Sequence, residues 1–155
     1  FINMGQTCAA AKRLYVHESL FDQTVQALKE IAQAVPMGNG MDDGVVMGPI
    51  QNKMQFDKVV SLVDSAKKAG ATIVCGGQAR GGPGYFYPLT LVTGLEDGAR
   101  LVDEEQFGPV LPLIKYRDVG ARRVWEPPSG LPTSRRHARA QAGSRPARCG
   151  STSTA

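Results

Sequence analysis

Cys8 is preceded by Gly5-Gln6-Thr7 and followed by Ala9-Ala10-Ala11, a neighbourhood that suits a reacting thiol. A thiol attacks as its thiolate, and the unpaired N–H groups and macrodipole of a helix N-terminus favour that charged form. The alanines predict a helix running from Cys8 through Lys12, which would place the sulfur at such a terminus. Gly5 allows a tight approach turn, and three methyl side chains leave room for a substrate beside the sulfur. The backbone N–H of Cys8 can donate to an oxyanion forming on an attacked carbonyl. The competing reading of an isolated cysteine is a small buried hydrophobe.

The second group with chemical capacity is Glu104-Glu105-Gln106-Phe107-Gly108-Pro109-Val110. A carboxylate accepts two hydrogen bonds at once and so suits two vicinal hydroxyls. Gly108-Pro109 fixes a turn into the strand that follows. Taken alone, a Glu-Glu pair reads as solvated surface and Phe107 as core. Other residues compete weakly. His17 reads as a surface or capping residue and His137 falls in the tail; neither has a partner that would make a Cys–His dyad. Met37, Met41 and Met47 read as gap-fillers in a loop. Gly81-Gly82-Pro83-Gly84 lacks the strand–Gly–helix context of a phosphate loop. Cys8, Cys75 and Cys149 are odd in number and far apart, with no CxxC pair. Neither a disulfide framework nor a metal site is suggested, and a reducing, cytoplasmic setting is the default.

These residues need elements to hold them. Asn3 to Thr7 read as a polar turn centred on Gly5. A short strand is predicted over Arg13 to His17. Ser19 suits an N-cap, and Phe21, Val25, Leu28 and Ala32 predict an amphipathic helix over 20–34, ended by Pro36 and Gly38. Residues 37–50 read as a Gly-rich loop. Phe56, Val59, Val60, Val63 and Ala66 predict a second helix over 51–69, with Gly70 at its C-terminal cap. Ala71 to Cys75 suit a buried strand, which makes Cys75 a buried strand residue. Tyr85 to Val92 read as an extended segment, at an edge or bulge because of Pro88. Val110 to Tyr116 read as a further strand. Strands alternating with helices predict an α/β domain with a largely parallel sheet.

A chain of 155 residues with 42% hydrophobic content can build one domain with a sizeable core. No apolar run approaches the ~20 residues that span a membrane. No basic segment precedes an apolar one at Phe1-Ile2-Asn3, so no signal peptide is expected, and the lack of an initiating Met predicts a missing upstream segment. The net charge of +4 is unevenly placed. Residues 120–155 hold seven Arg, no Lys and one acid, Glu126, whereas residues 1–119 hold 11 basic and 13 acidic side chains. The body therefore offers no electrostatic argument for nucleic acid. The tail lacks Ile, Phe, Tyr and Met, cannot offset its ordering entropy, and is expected to be disordered.

The segment from Phe1 to Arg13 resembles the active-site cysteine motif of the aldehyde dehydrogenase superfamily, with Phe1, Gly5, Gln6, Cys8, Ala10 and Arg13 in place. The segment from Glu104 to Val110 resembles the same superfamily's Glu-Glu-x-Phe-Gly-Pro-Val motif. Gly48-Pro49-Ile50, Phe56, Gly70-Ala71, Gly76-Gly77 and Gly84-Tyr85-Phe86-Tyr87-Pro88-Leu89-Thr90 follow in the superfamily's order, so the resemblance spans residues 1–119. It implies a partial catalytic domain over 1–119 and a basic low-complexity tail over 120–155. The implied activity is NAD- or NADP-dependent oxidation of an aldehyde to a carboxylic acid. Cys8 would be the nucleophile, through a thiohemiacetal and a thioester. Glu105 would bind the nicotinamide-side ribose, and Phe107 would pack at the nicotinamide region. The resemblance also implies a homo-oligomeric parent enzyme.

The superfamily's Gly-rich cofactor-binding region, oxyanion-hole Asn and general-base Glu belong upstream of the cysteine motif. Beyond Val119 its pattern gives way to the Arg/Ala/Pro-rich tail, so translation out of frame from near Gly120 is expected. Two alternatives stand beside the enzyme: a truncated, incompetent product with at most a reactive thiol, and a basic-tailed binding protein.

Overall fold

A computed structural model describes residues 1–118. The expectations for the 120–155 tail, including His137 and Cys149, lie outside the described residues.

The sheet is built around the most continuous apolar run of the chain. β4 (Val110–Tyr116) buries Val110 and Ile114 on one face and Leu111 and Leu113 on the other. A strand covered on both faces needs such a run. β1 (Leu14–His17) and β3 (Thr90–Thr93) flank it, both parallel, and β2 (Thr72–Cys75) adds antiparallel to β3. The order is β1-β4-β3-β2, the mostly parallel α/β sheet expected from the sequence.

α1 (Glu18–Ala34) sends Phe21 and Ala32 into one core, with Val16, Leu91, Leu111 and Leu113. α2 (Lys53–Lys68) sends Val59, Leu62, Val63 and Ala66 into the opposite core, with Val92, Val110 and Ile114. The short α3 (Arg100–Asp103) adds Leu101 and Val102 to that second core. Side chains such as Leu62, Leu91 and Val92 are fully buried, and each contributes roughly 1.5–3 kcal/mol by leaving water.

Several local expectations are corrected. No helix follows Cys8; Cys8 and Ala9 form a turn closed by the Ala10 N–H to Thr7 O at 3.0 Å. Nucleating a helix is costly, and the chain is pinned just downstream, where Arg13 Nη1 donates to Val102 O at 2.9 Å. Alanine propensity cannot extend a helix into that anchor. Ser19 is not the cap of α1; His17 is, its Nδ1 accepting from Ser19 N at 3.3 Å. β2 is a half-buried edge with an irregularity between Ile73 and Cys75, so Cys75 is half-buried rather than buried. Within Tyr85–Val92 only the last residues enter a strand, and that strand is internal; Pro88 precedes it, where its missing N–H costs no ladder bond.

Candidate active site

The cysteine segment begins with an unusual turn. Asn3, Met4 and Gly5 are consecutive left-handed residues, with φ of 52°, 58° and 70°. For Asn3 and Met4 this costs about 1–2 kcal/mol each. The Gln6 N–H to Asn3 O bond at 2.9 Å closes the turn, and burial of the Met4 side chain offsets part of the cost. The turn brings Gly5 against the second motif. A Cβ on Gly5 would stand 2.2 Å from Gly108 O, and a Cβ on Gly108 would stand 2.4 Å from Val59 Cγ2 of α2. Two glycines thus let the cysteine segment, the Glu105–Gly108 loop and α2 stack with no side chain between the two loops.

Three glutamines fasten the stack. Gln106, 2% exposed, donates from Nε2 to Lys12 O at 2.9 Å and to Leu101 O at 2.8 Å. Gln55 of α2 donates from Nε2 to Gln106 O at 2.6 Å and Phe107 O at 3.0 Å. Gln6 Oε1 accepts from Gln51 N at 2.9 Å. The Phe107 backbone so held is itself left-handed, with φ of 45°. Left-handed non-glycine residues cost energy and persist only where their surroundings fix them.

The fold therefore brings the two expected motifs together. Cys8 and Glu105 are each three residues from the Gly5–Gly108 contact, which bounds their Cα separation to roughly 25 Å by chain reach. Cys8 and Glu105 are exposed and Phe107 is half-buried. Thr7 takes up the neighbouring amides: its backbone O accepts from Ala10 N, and its Oγ1 lies 3.5 Å from Ala9 N. No helix begins at Cys8, so the expected helix N-terminus is not formed by the cysteine segment itself. Lys12 reaches Asp103 O with its Nζ. Burial, and secondarily Arg13, lowers its pKa, while Asp103, Glu105 and Glu104 oppose the shift.

Two concavities among the described residues lie away from these side chains. One lies on α2, between Asp57, Asp64 and Arg100, and the other between Met37, Asp42 and Arg80. No helix among the described residues is long and apolar enough to cross a membrane.

The sequence reading missed Gln55 and Gln106. Gln55 carried a usable signal, for it shares the apolar stripe of α2 with Val59, Leu62, Val63 and Ala66. A polar residue in register with a buried stripe needs a partner. Gln106 had only its place between Glu105 and Phe107.

The aldehyde dehydrogenase family model matches residues 1–121. The chain belongs to the aldehyde dehydrogenase family. A probable aldehyde dehydrogenase from Pseudomonas sp is 46% identical, with 84% of this chain and 28% of that protein covered. Lactaldehyde dehydrogenase from Escherichia coli superposes with a TM-score of 0.74 at 38% identity, covering 77% of this chain and 25% of that one. An NAD+ complex of aldehyde dehydrogenase from Bacillus cereus superposes with a TM-score of 0.72 at 35% identity, covering 76% and 24%. The chain spans about a quarter of the length of most of the curated relatives it matches, and half the length of one. The described residues thus form part of an aldehyde dehydrogenase fold, in which the cysteine segment leads into β1 and the Glu105–Gly108 loop into β4 of one mostly parallel sheet.

Proposed function

We propose that residues 1–119 are the cysteine-bearing part of an NAD(P)+-dependent aldehyde dehydrogenase that oxidises an aldehyde to a carboxylic acid. The observation that carries this is the Gly5–Gly108 contact, which sets the cysteine segment directly against the Glu105–Phe107 loop. The NAD+ complex of the Bacillus cereus relative supports the choice of cofactor.

Cys8 is exposed on a turn braced by Thr7, where an aldehyde carbon can reach the sulfur. Attack by the thiolate forms a C–S bond and a thiohemiacetal whose oxyanion the Cys8 backbone N–H can stabilise. Loss of hydride from that carbon gives a thioester on Cys8, and hydrolysis frees the acid and restores the thiol. The residues fit a dinucleotide: Glu105 presents an exposed carboxylate suited to two ribose hydroxyls, and Phe107 presents a half-buried ring from a braced backbone. When bound, the cofactor supplies the hydride acceptor. The general base, the second oxyanion donor and any homo-oligomeric contact belong to the remainder of such an enzyme. A cytoplasmic location is part of the same proposal. Assayed alone, the 155-residue chain is expected to form no NADH.

The experiment is a graft. Residues 1–118 replace the corresponding quarter of the Pseudomonas relative, and aldehyde-dependent NADH or NADPH formation is measured. Activity in the graft is expected, lost in Cys8→Ala and shifted to higher dinucleotide KM in Glu105→Gln. A folded graft whose turnover survives Cys8→Ala overturns the assignment.

A further inference from the structure

We propose that Gln106 and Gln55 are positioning residues that set the Glu105–Phe107 loop against the Cys8 loop. What they position rests on the functional reading above; that they position it does not. Gln106 is the one side chain among the described hydrogen bonds that ties the Glu105–Phe107 loop to the cysteine segment, through Lys12 O at 2.9 Å, while the same Nε2 holds Leu101 O at 2.8 Å. Its side chain is 2% exposed; the bond to Leu101 O is buried and the bond to Lys12 O half-buried. Gln55 approaches from α2 and spends its own Nε2 on the two carbonyls that flank the left-handed turn, Gln106 O and Phe107 O. The result is a continuous brace from α2, through the Phe107 backbone, to Lys12.

The chemistry of the two side chains explains why glutamine serves here. A carboxamide carries two N–H donors in one fixed plane and no charge. It can therefore satisfy two carbonyls from different segments while buried, where a lysine would carry an expensive charge and a carboxylate would present acceptors to acceptors. The brace also acts where the backbone is strained. Phe107 at φ 45° returns toward ordinary geometry if its carbonyl is released, and a ring meant to pack against a ligand then loses its fixed aim.

The test uses the full chain with Gln106→Met and Gln55→Met, which keep side-chain length and remove both donors. Amide exchange is read residue by residue by NMR. In a Cys75→Ser, Cys149→Ser background, a nitroxide on Cys8 reports its proximity to the Glu105 and Phe107 amides by line broadening. In Gln106→Met, exchange at Ala10 and Gln51 is expected to speed by about tenfold, the factor of one lost hydrogen bond. Broadening at Glu105 and Phe107 should weaken, while Leu113 in β4 stays protected. Gln55→Met is expected to weaken broadening at Phe107 and leave Ala10 protected, because the Lys12 bond survives. Unchanged loop amides and unchanged broadening in Gln106→Met overturn the proposal. Loss of Leu113 protection together with the loops in both variants also overturns it, by assigning the pair to the core. No aldehyde or dinucleotide enters this experiment, so its failure and the failure of the Cys8→Ala graft are separable.

Discussion

Gly5→Ala is the substitution that most sharply probes the contact on which the site depends. An alanine there faces two separate costs. The first is its left-handed backbone, φ +70°, worth about 1–2 kcal/mol for a residue with a Cβ. The second is the collision of that Cβ with Gly108 O at 2.2 Å and Gly108 C at 2.8 Å. Both obstacles are backbone atoms, so no rotamer change relieves them, and overpacking of this kind costs about 1–3 kcal/mol. The sum is about 2–5 kcal/mol, a large part of a typical domain's ~5–15 kcal/mol. Gly44→Ala is the matched control, since Gly44 has φ +77° and nothing within 4 Å of its added Cβ. It incurs the backbone cost alone. Urea unfolding of both variants, followed by circular dichroism, isolates the collision as the difference between them. With a slope of ~1–3 kcal/mol per molar urea, the Gly5→Ala midpoint should lie about 1 M below that of Gly44→Ala. Equal midpoints would mean that the two loops do not touch, and the braced site would go with them.

Two further outcomes are expected. Burial pushes the Cys75 thiol upward in pKa, against smaller opposing effects of a backbone hydrogen bond from Leu91 and of Lys29. Iodoacetamide at mildly alkaline pH should therefore label exposed Cys8 well before Cys75, as read by peptide mass spectrometry, and equal rates would contradict the placement of the two thiols. Glu104 is held below its ordinary value of 4.5, chiefly by its hydrogen bond from Arg100, with Nε···Oε1 at 2.7 Å. A depressed carboxylate stabilises the fold above its unfolded pKa and loses that contribution as pH falls through the folded value. The stability gap between the parent chain and Glu104→Gln should be small, because the i,i+4 pair is exposed to solvent, and should close as pH falls below 4.5; a gap that persists in acid would rule out the ion pair as its source.

Much of the frame was legible from periodicity and composition. The run Val110–Tyr116 read as a strand and is one, and the stripe Val59, Val63, Ala66 read as a helix face and is one; that the strand is covered on both faces came from the structure. Both motifs were legible as motifs because their residue order is specific. The sequence was silent on how they meet. A helix at Cys8 followed from alanine propensity, but Arg13 and Lys12 are tied to the end of α3, a tertiary contact that no local preference encodes. His17 displaced Ser19 as the α1 cap because the strand ends one residue before the helix starts, leaving its ring beside the free Ser19 amide. β2 read as buried because Thr72-Ile73-Val74 is β-branched, yet strand composition does not say which strand lies at an edge. The glutamine brace was hidden for a similar reason: its partners are backbone carbonyls, which are the same in every sequence.

The central claim is that Cys8 is the atom-bonding nucleophile of an aldehyde-oxidising site. It is tested most directly by acid-quenching the graft during turnover with aldehyde and NAD+ and mapping the digested peptides by mass spectrometry. An acyl adduct on the Cys8 peptide, absent from the Cys8→Ala graft, is the predicted result. An adduct on another residue, or turnover that continues in Cys8→Ala, would contradict it.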